Sequence, residues 1–277
     1  MIIDSHHHLW DLGLWDYSWM SAELKPLHKN FLIDDWVSTV RPFQISGTVV
    51  VQAHQSVEET RWLLDLSQQT DLIRGVVGWV DLKDPDLQKT LEKLNGSRKF
   101  KGVRHLIQDE PDVNWMLQPE VIRGLKILHE ARLTYDLLVK PHQLENALRL
   151  VERLPEMPIM VDHISKPYIK AGIREPWASL MEELAQSPHI YCKISGLITE
   201  ADHQHWKETD FIFYLEHILN IFGWERICWG SDWPVCLLAG SYGQVLKLPE
   251  TILRSSGNQA QWDAFMGGNS SKFYGLL

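Results

Sequence analysis

Eight short apolar runs, separated by longer amphipathic segments, recur along the whole chain. The runs cover 2–6, 47–52, 73–80, 100–105, 134–139, 158–163, 190–195 and 226–232. Each is apolar enough to be buried on both faces, as parallel strands are. Helix-like segments fall between them, among them 56–69, 119–133, 141–154 and 208–222. Ser56 followed by Glu59 reads as a capping box, and Pro119 and Pro141 suit the first turn of a helix. Eight βα units in 277 residues predict an α/β protein with a closed, distorted (β/α)₈ TIM barrel, a fold of about 250 residues. An open doubly wound sheet would call for a glycine-rich turn after an early strand, and neither GxGxxG nor GxxxxGK[ST] occurs. No Gly/Ser or Pro-rich linker divides the chain, so residues 1–277 read as one barrel domain. The long irregular stretches, 9–35 and 106–118, follow strands 1 and 4, where barrel loops build active sites.

Composition removes several function classes. A formal net charge of −9 argues against a nucleic-acid partner, which calls for a basic excess. Three cysteines without a CxxC pair exclude a disulfide scaffold and a cysteine zinc site. The start MIIDSHHH lacks the features of a signal peptide, and no run of about 18 apolar residues exists to span a membrane. The expectation is a cytoplasmic protein acting on a small molecule, with its oligomeric state left open.

The strand ends concentrate ionisable side chains: His6, His7 and His8, Gln52 with His54, Arg104 and His105, Asp162 and His163, then Ser231 and Asp232. Packing alone does not explain so many polar termini, because each buried one without a partner costs about 1–3 kcal/mol. Strand alternation puts His6 and His8 on one face together with Asp4, and turns His7 away. Two adjacent imidazoles can bind a divalent metal or hydrogen-bond a substrate oxygen. Asp232 precedes Trp233-Pro234, which stops the strand and aims the carboxylate at the barrel mouth. There it can deprotonate a water molecule; the competing role is a helix cap. His163, alone, reads as a core histidine; with the other three it converges on one cavity. Gln52, Arg104, His105, Lys193 and Trp233 are candidate substrate contacts. Lys193 has an alternative as the partner of a neighbouring strand carboxylate. Trp10, Trp15 and Trp19 form either a stacking wall for a sugar ring or a packed lid.

DSHHHLW, GVRH, VDHISKP, CKISG and GSDWPV together resemble the amidohydrolase superfamily, and within it the metal-optional branch of sugar-lactone and pyrone-dicarboxylate lactonases. The resemblance spans nearly the whole chain. It implies water addition to a lactone carbonyl, with Asp232 as the water activator and with His6, His8 and His163 polarising the carbonyl or holding a metal. His163 is also the candidate that returns a proton to the leaving alkoxide. Binuclear members carry a bridging lysine or glutamate on a middle strand; here Lys140 lies near the end of strand 5 but is followed by Pro141. The expectation is therefore at most one divalent ion, on His6, His8 and Asp232, with zinc favoured and manganese also suited, or catalysis without metal. Few cations end strands, which favours a neutral sugar aldonolactone over a tricarboxylate. The alternatives are a metal-dependent decarboxylase, an amide or phosphoester hydrolase on the same barrel, and a non-catalytic binding protein.

Overall fold

The computed structural model describes residues 1–276. Its eight strands are β1 (Ile2–His7), β2 (Ile45–Val51), β3 (Ile73–Gly78), β4 (Phe100–His105), β5 (Thr134–Leu137), β6 (Ile159–Val161), β7 (Ile190–Ile194) and β8 (Ile227–Trp229). They pair in sequence order, every ladder parallel. A helix follows each strand: α1 (Ile33–Val40), α2 (Val57–Gln68), α3 (Leu87–Leu94), α4 (Pro119–Glu130), α5 (Leu144–Val151), α6 (Trp177–Ala185), α7 (Ile212–Phe222) and α8 (Tyr242–Leu253). The sheet closes just beyond β8, where Asp232 N–H donates to His6 O at 2.8 Å and His8 N–H to Trp233 O at 2.7 Å. This is the (β/α)₈ barrel read from the sequence. No described helix is long and apolar enough to cross a membrane.

The strands are apolar on both faces because both are covered. One face packs against the helices. The other forms an inner cluster of Val49, Val51, Val77, Met160 and Cys228, joined by Phe273 and Tyr274 of the last helix, Asn269–Tyr274. All three cysteines are free and buried.

Local signals hold with exceptions. Ser56 caps α2, accepting from Glu59 N–H. The reciprocal half of the expected capping box is absent, because the Glu59 carboxylate instead accepts from the backbone N–H groups of Ala53 and His54. Pro119 opens α4, whereas Pro141 opens a 3₁₀ turn ahead of the shorter α5. Strands 6 and 8 are shorter than the apolar runs. After Val161 the chain runs through four left-handed residues, His163, Ile164, Ser165 and Lys166, with φ of 53°, 47°, 58° and 47°. Asp232 is also left-handed, at φ 56°. His163 and Asp232 thus sit on turns rather than on strands. Such conformations cost free energy and gather at functional sites.

Candidate active site

Alternation along the end of β1 sets the first two imidazoles. His6 and His8 place their Nε2 atoms 3.2 Å apart. His7 points outward and stacks on Trp36 of α1, ring centroids 4.8 Å apart. Asp4 departs from the expected shared face. A register shift in the β1–β2 ladder between Asp4 and His7 breaks the period of two. The Asp4 carboxylate accepts from Ser231 N–H at 2.9 Å, Ser231 Oγ–H at 2.6 Å and Tyr242 O–H at 2.9 Å. It ties β1 to the turn after β8 and to α8, and burial pushes it up to about 6.

Asp232 is the centre of the cluster. Its Oδ1 lies 3.4 Å from His8 Nε2, 3.8 Å from His6 Nε2 and 4.0 Å from His163 Nε2. His163 is held by Ser195, whose Oγ is 2.9 Å from its Nδ1. Gly196 is required beside it: a Cβ there would come within 2.6 Å of His163 Nδ1, and its φ is +64°. Burial alone would raise the Asp232 carboxyl, but His163, His8 and Lys166 outweigh it and hold it below the ordinary range. Burial lowers His8 and drives His6 and His163 well below theirs. The site therefore combines an ionised carboxylate with neutral imidazoles.

His8 can be assigned its proton. Its Nδ1 lies 2.8 Å from Val51 O, a carbonyl that only accepts, so the proton is on Nδ1 and Nε2 presents a lone pair. That lone pair faces His6 Nε2 and the Asp232 carboxylate, an arrangement that calls for a proton or a cation between them. Two nitrogens bound tetrahedrally at about 2.0–2.1 Å lie about 3.3 Å apart. His6, His8 and Asp232 thus fit the donor set of one divalent ion.

A second group, His6, Asp162 and His163, also clusters, but fixed cations already face it. Asp162 Oδ1 is 3.1 Å from Lys193 Nζ, and Oδ2 is 3.3 Å from Arg104. Lys193 also donates to Asp136 at 2.5 Å, and Tyr274 O–H donates to the same Asp136 oxygen at 2.7 Å. Two carboxylates and two cations compensate one another inside the barrel, which such burial demands.

The cavity above this floor has a volume of about 700 Å³ and takes in His8, Arg104, His163 and Asp232. Of the five expected substrate contacts, only Arg104 lines it. Lys193 is fully buried beneath His6, its Nζ 3.2 Å from His6 Nδ1, so it serves the carboxylates rather than the cavity wall. Gln52 is fully buried, and its Oε1 accepts from Arg104 at 3.0 Å. His105 is clamped between Trp79 and Glu110. Trp233 packs edge-on against Phe31, ring centroids 5.2 Å apart, away from this cavity. The tryptophans divide: Trp10 and Trp15 pack within the loop and against α2, whereas Trp19 lines the cavity with its Nε1–H fixed on Ala53 O at 2.7 Å. The loops add wall residues that strand-end reading passed over, notably Glu110, Lys166 and Glu200. Glu110 lies in the irregular stretch already marked for the active site, and Lys166 lies in the VDHISKP motif. Lys140 faces Asp109 at 3.6 Å and is part-exposed, outside the metal cluster.

A barrel with an HxH pair on its first strand, a histidine after the sixth and an aspartate after the eighth is matched by the amidohydrolase family model over residues 3–276. The chain belongs to the amidohydrolase family. It is similar to an L-fucono-1,5-lactonase of Burkholderia ambifaria, 35% identical over 98% of this chain and 94% of the relative. An L-fucono-1,5-lactonase of Burkholderia multivorans is 34% identical over 99% of this chain and 96% of the relative. A crystal structure of a Burkholderia multivorans amidohydrolase with bound zinc, 34% identical, superposes with a TM-score of 0.93 and covers 100% of both chains.

Proposed function

We propose that Asp232 is the base with which this amidohydrolase opens the ring of a sugar aldonolactone by water attack on the carbonyl. The chain is a hydrolase acting on a carboxylic ester within a small molecule, and its full-length relatives favour lactones over the decarboxylation, amide and phosphoester alternatives. The observation that carries the reading is the single Asp232 oxygen ringed by three imidazole nitrogens at the cavity floor.

Asp232, ionised, takes a proton from a water molecule held beside it, and the oxygen attacks the carbonyl carbon. His8 Nε2, with its lone pair forward, accepts the water's second proton as a hydrogen bond and so orients it. Arg104 NH1, 3.2 Å from His6 Nε2, supplies fixed positive charge to the oxygen that becomes negative. Collapse of the tetrahedral intermediate breaks the ring C–O bond and leaves an alkoxide, and the proton that Asp232 took from the water passes to it by way of His163, whose Nε2 lies 4.0 Å from Asp232 Oδ1. A divalent ion on His6, His8 and Asp232, zinc by donor type, would add Lewis-acid polarisation of the carbonyl when bound.

The test is a panel of sugar aldonolactones followed with a pH indicator, since each ring opening releases a proton. At least one is expected to turn over with kcat/KM in the enzymatic range, about 10⁴ M⁻¹s⁻¹ or more. No hydrolysis across the panel by folded protein, with and without added zinc, would refute the reading.

A further inference from the structure

His105 and Glu110 form an arrangement that the reaction as described leaves unused. His105 ends β4 as a side chain clamped on every side. Its ring stacks on Trp115 with centroids 3.9 Å apart and planes within 13°. Its Nδ1 accepts from Trp79 Nε1–H at 3.1 Å. The indole nitrogen only donates, so the His105 proton is on Nε2. That Nε2–H donates to Glu110 Oε1, with Nε2 2.6 Å from the oxygen. Burial keeps the imidazole neutral by lowering it from its ordinary value. The chain Trp79 to His105 to Glu110 therefore runs in one donor direction and ends on a carboxylate in the cavity wall. His105 lies within the barrel and is 6% exposed, yet Glu110, on a loop, keeps its side chain about one-fifth exposed to the cavity. Ordering a loop carboxylate in this way is costly in side-chain entropy, and an ion pair with an exposed lysine would have served packing as well.

We propose that Glu110 is a specificity-determining residue that accepts hydrogen bonds from ring hydroxyls of the substrate, and that His105 is the positioning residue that presents it. The proposal rests on the lactonase reading and narrows it. A carboxylate at this wall rewards hydroxyl donors and repels an anionic substituent. The substrate class is then a lactone with free hydroxyls and no second carboxylate. Trp19 also lines the cavity, its indole N–H fixed on Ala53 O at 2.7 Å, and adds aromatic surface for the ring's C–H groups.

The test compares kcat/KM for a polyhydroxylated six-membered sugar lactone with that for unsubstituted δ-valerolactone, in the wild type and in Glu110→Gln, His105→Phe and His105→Gln. The ratio of the two values measures hydroxyl recognition separately from ring-opening chemistry. In Glu110→Gln the ratio is expected to fall about 10- to 100-fold, the range for a hydrogen bond to a charged group, through KM rather than kcat. His105→Phe keeps a ring to stack but removes the donor, and should lower the ratio in the same direction. His105→Gln, whose amide can donate, should recover part of it. A Glu110→Gln ratio equal to the wild type's would overturn the assignment of Glu110. His105→Phe lowering both substrates alike, or His105→Gln matching it, would reduce His105 to a packing residue and overturn its positioning role. A wild type that opens neither lactone would instead defeat the lactonase reading, and the assignment with it.

Discussion

At the scale of single residues, neighbouring histidines on one strand do different work. His6 and His8 meet Asp232, while His7 sits between aromatic rings with neither nitrogen hydrogen-bonded among the described residues. Burial drives His7 well below the ordinary histidine value, so it stays neutral in the fold. Below pH 6.5 the unfolded chain takes up a proton that the folded chain does not. Stability is therefore full above that pH and falls as the solution is acidified, by about 1.4 kcal/mol per pH unit for each such histidine. His7→Phe keeps the stack on Trp36 and removes the titrating group. Melting temperatures between pH 7.5 and pH 5 should then fall less steeply for the variant than for the wild type. Equal slopes would show that His7 is not held neutral.

At the scale of elements, the strands position the floor of the site and the loops choose its walls. The alternation that sets His6 and His8 inward is readable because strand geometry has a fixed period of two. Asp4 was misplaced by the same rule, since a register shift in β1 is not written in residue type. The barrel was legible in eight apolar runs, but the four left-handed residues that turn His163 inward carry no glycine to announce them. A polar residue at a strand end was recognisable as special; whether a partner already occupied it was not. Lys193, Gln52 and His105 each look like substrate contacts in sequence and each is engaged by a neighbour. Glu110, Lys166 and Glu200 reach the cavity from loops whose course depends on tertiary packing.

The same strand set predicts metal stoichiometry. Lys193 from β7 and Arg104 from β4 already face both oxygens of Asp162, leaving His6, His8 and Asp232 as the group open to an ion. Elemental analysis should find no more than one divalent ion per chain, and exhaustive chelation should leave part of kcat, because Asp232, His163 and Arg104 remain. Two tightly bound ions per chain, with activity abolished by chelation and restored by metal, would contradict this.

At the scale of the whole molecule, a closed parallel barrel gathers residues as distant in sequence as His6 and Asp232 at one end and buries the charges beneath them. The net charge of −9 and the carboxylates at the cavity wall suit a neutral substrate that becomes an anion on hydrolysis, since the product is then repelled. The account depends most on Asp232 acting as the base. The most direct measurement is kcat of Asp232→Asn on the best lactone of the panel, with circular dichroism establishing that the variant is folded. The substitution keeps the shape and removes the base, and kcat should fall about 10²–10⁴-fold. A folded Asp232→Asn enzyme with the turnover of the wild type would contradict the account.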